Sequence, residues 1–327
     1  MNKSKCYFFI ITWVVFFPLI LVTLSLAAET QHPETPVSRK QLYTHVHQLT
    51  SIQPPRNYKN PSSLDQAAAY IFKEFSKWCK GVEVQRYNVN GTQYKNVIAW
   101  FGPKTGKRIV IGAHYDVCGD QPGADDNASG VAVLLELARL FSRLKPCLKQ
   151  RIDLAAYTLE EPPFFRTPNM GSAVHAKSLA AAKVKIHIMI SLDMIGYFSD
   201  KVKPFRIFAP FFKPGTVIPG NTTVILGKQG EKDITQTLAK YIMKYSDINA
   251  AAVNPPPETP GVDFSDHLNF WKEGYKAVMI TNLFVCPNLN YHKPGDTIDK
   301  LDFNKIAEIV KGLYGALCKM AAEKPGK

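Results

Sequence analysis

The sequence has no CxxC pair, no internal repeat and no low-complexity tract. The missing CxxC argues against a cysteine-based zinc site. Cysteine is scarce altogether. Cys6 lies in an apolar N-terminal run, and Cys79, Cys118, Cys147, Cys286 and Cys318 remain, an odd set that cannot all pair within one chain. Negative charge is in short supply, with 27 Asp and Glu against 40 Lys and Arg, a net charge of +13. A basic excess of this size can serve nucleic acid or anionic lipid. Here it is scattered, with a mild enrichment at Lys300, Lys305, Lys311, Lys319, Lys324 and Lys327. There is no basic helix and no aromatic stacking motif, so a solvated basic surface is expected and a nucleic-acid partner is not. Disorder is excluded for the bulk of the chain, because 46% of its 327 residues are hydrophobic and 20% are charged.

The one long apolar run is N-terminal. Lys3 and Lys5 precede it, it extends over residues 6–28, and Ser25, Ala27 and Ala28 are followed by the polar Glu29, Thr30 and Gln31. This is the layout of a secretory signal peptide, with cleavage after Ala27 or Ala28. Its length also approaches a bilayer span, so an uncleaved anchor is the alternative. Both place residues 29–327, read as one catalytic domain, outside the cytoplasm, periplasmic or secreted. Contact with a membrane is expected only if the segment stays.

Helical spacing of apolar residues predicts helices over 38–49 and 64–79, the latter capped by Ser63. Strands follow at 82–89, 96–101 and 108–113, the last an apolar run suited to burial on both faces. Helix 129–144, strand 151–158, helix 172–182 and strand 185–192 come next. After a Pro-broken segment, 204–219, the pattern predicts strand 222–226, helix 234–245, a Pro-rich loop 254–261, helix 266–273, strand 277–281 and helix 303–319. Alternation of this kind implies an α/β fold: a mixed, mostly parallel central sheet with helices on both faces.

The polar residues of interest fall at strand ends. His114 and Asp116 follow strand 108–113, Glu160 and Glu161 follow strand 151–158, and Asp193 ends strand 185–192. Asp125 and Asp126 precede the helix after the first of these strands, and His292 lies beyond strand 277–281. In an open α/β sheet the carboxyl ends of the strands form the ligand crevice. Singly, each residue has an ordinary explanation: a structural histidine, a helix N-cap, a solvated loop. Jointly they bring several carboxylates to one edge, tolerable only if protonated or neutralised by cations. Two histidines among carboxylates suit zinc.

The strings HYD and GADDNASG, then LEE, SLDMIG, SDH and YHKPGDT, resemble the co-catalytic di-zinc aminopeptidases of the bacterial leucyl type, whose relatives include glutamate carboxypeptidases and glutaminyl cyclases. The resemblance spans residues 42–319 and implies a zinc exopeptidase fold of the phosphorylase/hydrolase-like kind. It implies two Zn2+ ions, one on His114 and Asp193, the other on Glu161 and His292, with Asp126 bridging. Glu160 matches the general base that activates a water between the ions, Asp116 the carboxylate orienting the His114 ring, and Tyr291 a donor to the oxyanion. A cis peptide at Asp126–Asn127 is also expected. The implied activity is release of N-terminal residues from peptides with a free amino terminus, by a monomer.

The nearest alternative is a glutaminyl cyclase, which uses one zinc at the positions of Asp126, Glu161 and His292. Those enzymes usually have Trp where Tyr291 stands and lose the intact GADDNASG. The sequence also departs from many aminopeptidases after Glu161. It carries Pro162, Pro163, Phe164, Phe165 and Arg166 in place of a short Gly-containing turn, which should reshape the substrate pocket. The Pro-rich loop 254–261 is a second candidate rim, or a plain linker. Asp266 and His267 are expected near the site, His267 not as a ligand, and Cys118 is not expected to act as a nucleophile.

Overall fold

A computed structural model describes residues 35–199 and 218–322. The expected signal segment and most of the Pro-broken segment therefore lie outside the described residues, as does Cys6. Among the described residues no helix is long and apolar enough to cross a membrane, and Cys79, Cys118, Cys147 and Cys318 form no disulfide.

Helix α1 (Arg39–Thr50) starts where the Ser38 hydroxyl accepts the Gln41 amide hydrogen, satisfying one of the four donors a helix start leaves free. Helix α2 (Pro61–Trp78) begins earlier than the sequence pattern suggests, with Asn60 at the N-cap and Pro61 in the first turn. Proline's fixed φ suits that turn and its missing N–H costs nothing there. Ser63, expected as the cap, is buried inside the helix. The strands are β1 (Val82–Val89), β2 (Thr92–Phe101), β3 (Arg108–His114), β4 (Arg151–Tyr157), β5 (Ile186–Leu192), β6 (Thr222–Gly227), β7 (Asn249–Val253) and β8 (Ala277–Thr281). The intervening and final helices are α3 (Ser129–Leu144), α4 (Gly171–Ala181), α5 (Lys232–Tyr245), α6 (His267–Lys272) and α7 (Phe303–Ala322). Strand β7 is absent from the sequence reading. Its central Ala-Ala-Ala carries neither branched nor aromatic side chains, and pairing with β6 forms it.

The sheet runs β1-β2-β4-β3-β5-β8-β6-β7. Pairs β4/β3, β3/β5, β5/β8 and β6/β7 are parallel, whereas β1/β2, β2/β4 and β6/β8 are antiparallel. The mixed, mostly parallel arrangement is the one expected. Alternation along the central strands feeds two cores. Ile109, Ile111, Leu154 and Ile190 face the apolar stripes of α1, α2, α3, α5 and α7. Val110, Ala155 and Met189 face Ala176 and Leu179 of α4 and Phe270 of α6. Helices thus cover both faces, and because β4, β3, β5 and β8 are mutually parallel their carboxyl ends open on one edge.

Candidate metal centre

His114 is the last residue of β3 and is buried among carboxylates. Its Nδ1 lies 3.2 Å from the carbonyl oxygen of Asp116. A donating Nδ1–H there leaves the Nε2 lone pair turned outward. That Nε2 is 3.2 Å from Asp126 Oδ1, 3.7 Å from Asp193 Oδ2 and 4.0 Å from Glu160 Oε2. On the other side His292 Nε2 is 3.2 Å from Asp126 Oδ2 and 3.2 Å from Glu161 Oε2. Asp126 therefore stands between the two rings and turns one oxygen to each. The sequence-predicted residues His114, Asp126, Glu160, Glu161, Asp193 and His292 all meet at the expected edge.

Asp116 is also there, but arranged differently from the expectation. Its carboxylate lies 3.6 Å from His114 Nδ1, and its oxygens instead accept the amide hydrogens of Glu160 (3.2 Å) and Glu161 (3.1 Å). It orients the ring through its carbonyl and fixes the two glutamates through its side chain. Tyr291 stacks on His292, with ring centroids 3.8 Å apart, and lines the same cavity.

Further groups build the frame. Asp296 accepts the amide hydrogens of Asp125 and Asp126, both at 3.0 Å. Asp125 accepts those of Gly196 (2.8 Å) and Tyr197 (3.1 Å) and the Asn288 side-chain amide (3.1 Å). The buried Arg56 donates to the carbonyls of Leu49, Tyr115, Pro122 and Gly123, clasping both ends of the loop between His114 and Asp126. Gly123 permits that loop with φ 62°. A Cβ there would lie 2.5 Å from the Asp126 carbonyl oxygen. Leu159, Met194 and His292 also have positive φ, 60°, 52° and 56°. Such backbone costs of order 1–3 kcal/mol per residue and gathers at functional sites. The Asp126–Asn127 peptide is cis, as expected. None of Arg56, Asp125 or Asp296 was assigned a role from sequence. Asp125 and Asp296 do lie within GADDNASG and YHKPGDT, whereas nothing near Arg56 marks it.

The electrostatics are those of a site lacking counter-charge. Burial, together with neighbouring carboxylates, pushes Glu161 up to about 8 and Asp266 to about 7 and raises Glu160 and Asp193. Burial by itself would lower both histidines. The surrounding carboxylates overcome it, raising His114 well above its usual value and His292 to about 10. Asp126 moves downward: burial opposes the shift, and the two histidines outweigh it. Despite the short spacings, Asp126 Oδ2, Glu161 Oε1 and His292 Nε2 have no hydrogen-bond partner. Four ligands on a tetrahedral zinc with bonds near 2.0–2.1 Å lie about 3.3 Å apart. The 3.2 Å separations here match that spacing, and the donor set of imidazole and carboxylate suits zinc. The residues present fit the group.

Beside these atoms lies a cavity of about 90 Å³. Asp126, Glu160, Glu161, Asp193, Tyr291 and His292 line its floor, and Phe165, Met194, Phe264, Met279 and Leu283 line its wall. Of the two expected rims, the segment after Glu161 lines the cavity through Pro162 and Phe165, whereas the opposite side is formed by Phe264, beyond the Pro-rich loop 254–261, which contributes no lining residue. Phe165 meets Phe264 edge to face with centroids 6.0 Å apart, and Arg166 pairs with Asp263 at 2.5 Å. Asp266 is fully buried and neither of its oxygens has a hydrogen-bond partner. His267 Nε2 faces the Val262 carbonyl oxygen at 2.8 Å, away from a ligand role.

Comparison with known proteins places this geometry in context. The pattern of Peptidase family M28 matches residues 96–316. The Escherichia coli protein YfbL is 38% identical, covering 96% of this chain and 98% of that protein. Leucine aminopeptidase 1 of Paracoccidioides brasiliensis is 24% identical over 91% of this chain and 75% of its own length. Among solved structures, LapB of Legionella pneumophila superposes with a TM-score of 0.70 at 23% identity, covering 88% of this chain and 73% of that one. A glutaminyl cyclase of Bacteroides thetaiotaomicron bound to N-acetylhistamine gives 0.64 at 20% identity, covering 89% and 99%.

Proposed function

Because the chain belongs to peptidase family M28, a family of zinc-dependent hydrolases acting on peptides, we propose that it is an exported two-zinc aminopeptidase. The observation that carries this reading is the division of the Asp126 carboxylate, one oxygen 3.2 Å from each of two histidines. His114 and Asp193 would hold one ion and Glu161 and His292 the other, with Asp126 serving both. When bound, the pair of zinc ions supplies a water acidified from about 15.7 toward about 7 and a Lewis acid for the scissile carbonyl.

The protein's own groups do the rest. Glu160, held by the bond from its amide to Asp116, takes a proton from the attacking water and passes it to the leaving amine. Tyr291, which lines the cavity, donates a hydrogen bond to the oxygen that gains charge in the transition state. The acidic floor receives the ammonium of the substrate's N-terminus, which restricts cleavage to the first residue. The apolar wall takes that residue's side chain and keeps water from it.

The cyclase reading needs only Asp126, Glu161 and His292. It leaves the approach of His114 to Asp126 without a purpose, and so the two-ion reading is preferred.

Assay of wild type and Glu160→Gln on aminoacyl anilides and on Gln-initiated peptides tests the proposal. The expected result is two zinc ions per chain in both proteins, hydrolysis by wild type, and loss of hydrolysis in the variant. Hydrolysis retained by the variant removes Glu160 from its role. One zinc per chain, with Gln peptides cyclised and no amino acid released, replaces the proposal with the cyclase.

A further inference from the structure

Cys118 lies four residues beyond His114, on the loop that Arg56 clasps. Its neighbours on both sides are pinned: the Val117 amide donates to the Arg56 carbonyl oxygen at 3.0 Å, and the Asn57 side-chain amide donates to the Gly119 carbonyl oxygen at 2.6 Å. The loop so held brings Cys118 Sγ, a carboxylate oxygen of Glu161 and a ring nitrogen of His292 within 4.8 Å of one another. The second and third of these belong to the proposed zinc site. A second observation points the same way. Glu161 Oε1 is buried with no hydrogen-bond partner, and His292 Nε2 also lacks one. Cys118 itself is half-buried and in no disulfide.

We propose that Cys118 is a sulfur ligand to the metal ion held by Glu161 and His292. The inference rests on the two-ion reading above and adds to it a ligand that the resemblance does not supply. Zinc bonds sulfur at about 2.3 Å and nitrogen or oxygen at about 2.0–2.2 Å, so a small turn of the Cys118 side chain closes the cluster about one ion. Ligation converts the thiol to a thiolate and releases its proton to solvent. Burial and the charges of Glu161 and Asp126 oppose that loss. A bound cation reverses that environment.

The consequence is a pair of unlike ions. The one on His114 and Asp193 has only nitrogen and oxygen ligands. The one on Glu161 and His292 gains a soft thiolate, which favours zinc over magnesium, calcium or manganese at that position. The sulfur-bearing ion should then be the slower of the two to leave under chelation. Cys118 also becomes the point at which oxidants reach the centre, since oxidation of a thiolate removes its ligand character.

The test replaces the native metal of the full chain with Co2+ and records the electronic spectrum of wild type, Cys118→Ser and Cys118→Ala. The proposal expects a sulfur-to-cobalt charge-transfer band in the near ultraviolet for wild type, absent from both variants, with the visible cobalt bands retained in all three. The variants should also release the slower-leaving of their two cobalt ions at least tenfold faster to a chelator. Bound cobalt with no charge-transfer band in wild type overturns the proposal, as does a band that survives in either variant. Failure of wild type to bind cobalt at all overturns both this inference and the two-ion reading on which it stands.

Discussion

Asp296 illustrates how much of the centre depends on residues that touch no ion. Its carboxylate takes the amide hydrogens of Asp125 and Asp126, 171 and 170 residues away in sequence. Asp296→Ala leaves two buried donors unpaired, so it should destabilise the protein by roughly 1–3 kcal/mol per unpaired group. It should also weaken zinc retention. Denaturant melts together with dialysis against a chelator check both effects, and unchanged zinc retention would separate Asp296 from the centre. The principal candidates were legible through their joint placement at the ends of mostly apolar strands, with His114 closing β3 and Asp193 following β5. Arg56 and Asp296 were not assigned because their partners are backbone amides and carbonyls, which every residue has. Cys118 was considered only as a nucleophile, since sequence distance gave no hint of Glu161 and His292 beside it.

At the scale of elements, the long apolar strands and amphipathic helices were readable and their bounds nearly right. Strand β7 was not, because pairing with β6 rather than side-chain preference makes it a strand. The substrate wall depends on two loops whose meeting no local pattern encodes. Phe165 follows β4 and Phe264 precedes α6, yet their rings touch. Truncating Phe165 or Phe264 to Ala should widen the cavity and raise kcat/KM for an N-terminal Trp relative to Leu by roughly tenfold, the range one pocket contact commands. An unchanged ratio in both variants would place specificity elsewhere. Helix α4 carries a pH sensor for stability. His175 is buried, its Nδ1 2.9 Å from the Tyr157 hydroxyl, and burial followed by Arg108 and Arg151 lowers it to about 3. The unfolded state therefore binds the extra proton. The stabilising contribution is complete above about 6.5 and lost as pH falls from there toward about 3, at up to about 1.4 kcal/mol per pH unit. Replacing His175 with Asn should flatten the stability profile in that window, as measured by urea melts from pH 7 to pH 4.

For the molecule as a whole, a chain of net charge +13 concentrates buried carboxylates at one sheet edge, and that contrast is what zinc resolves. Removing metal should lower the melting temperature by several degrees, and zinc at a thousandfold excess over its dissociation constant should restore about 4 kcal/mol. The fold class followed from alternation of strands and helices, while the antiparallel pairing of β6 with β8 has no signature in the local pattern. The most direct measurement is an anomalous-difference map at the zinc edge from crystals of the zinc-loaded protein. The account predicts two peaks flanking the Asp126 carboxylate, one against His114 and Asp193, the other against Glu161 and His292. A single peak beside Glu161 and His292, or none within bonding distance of Asp126, would contradict it.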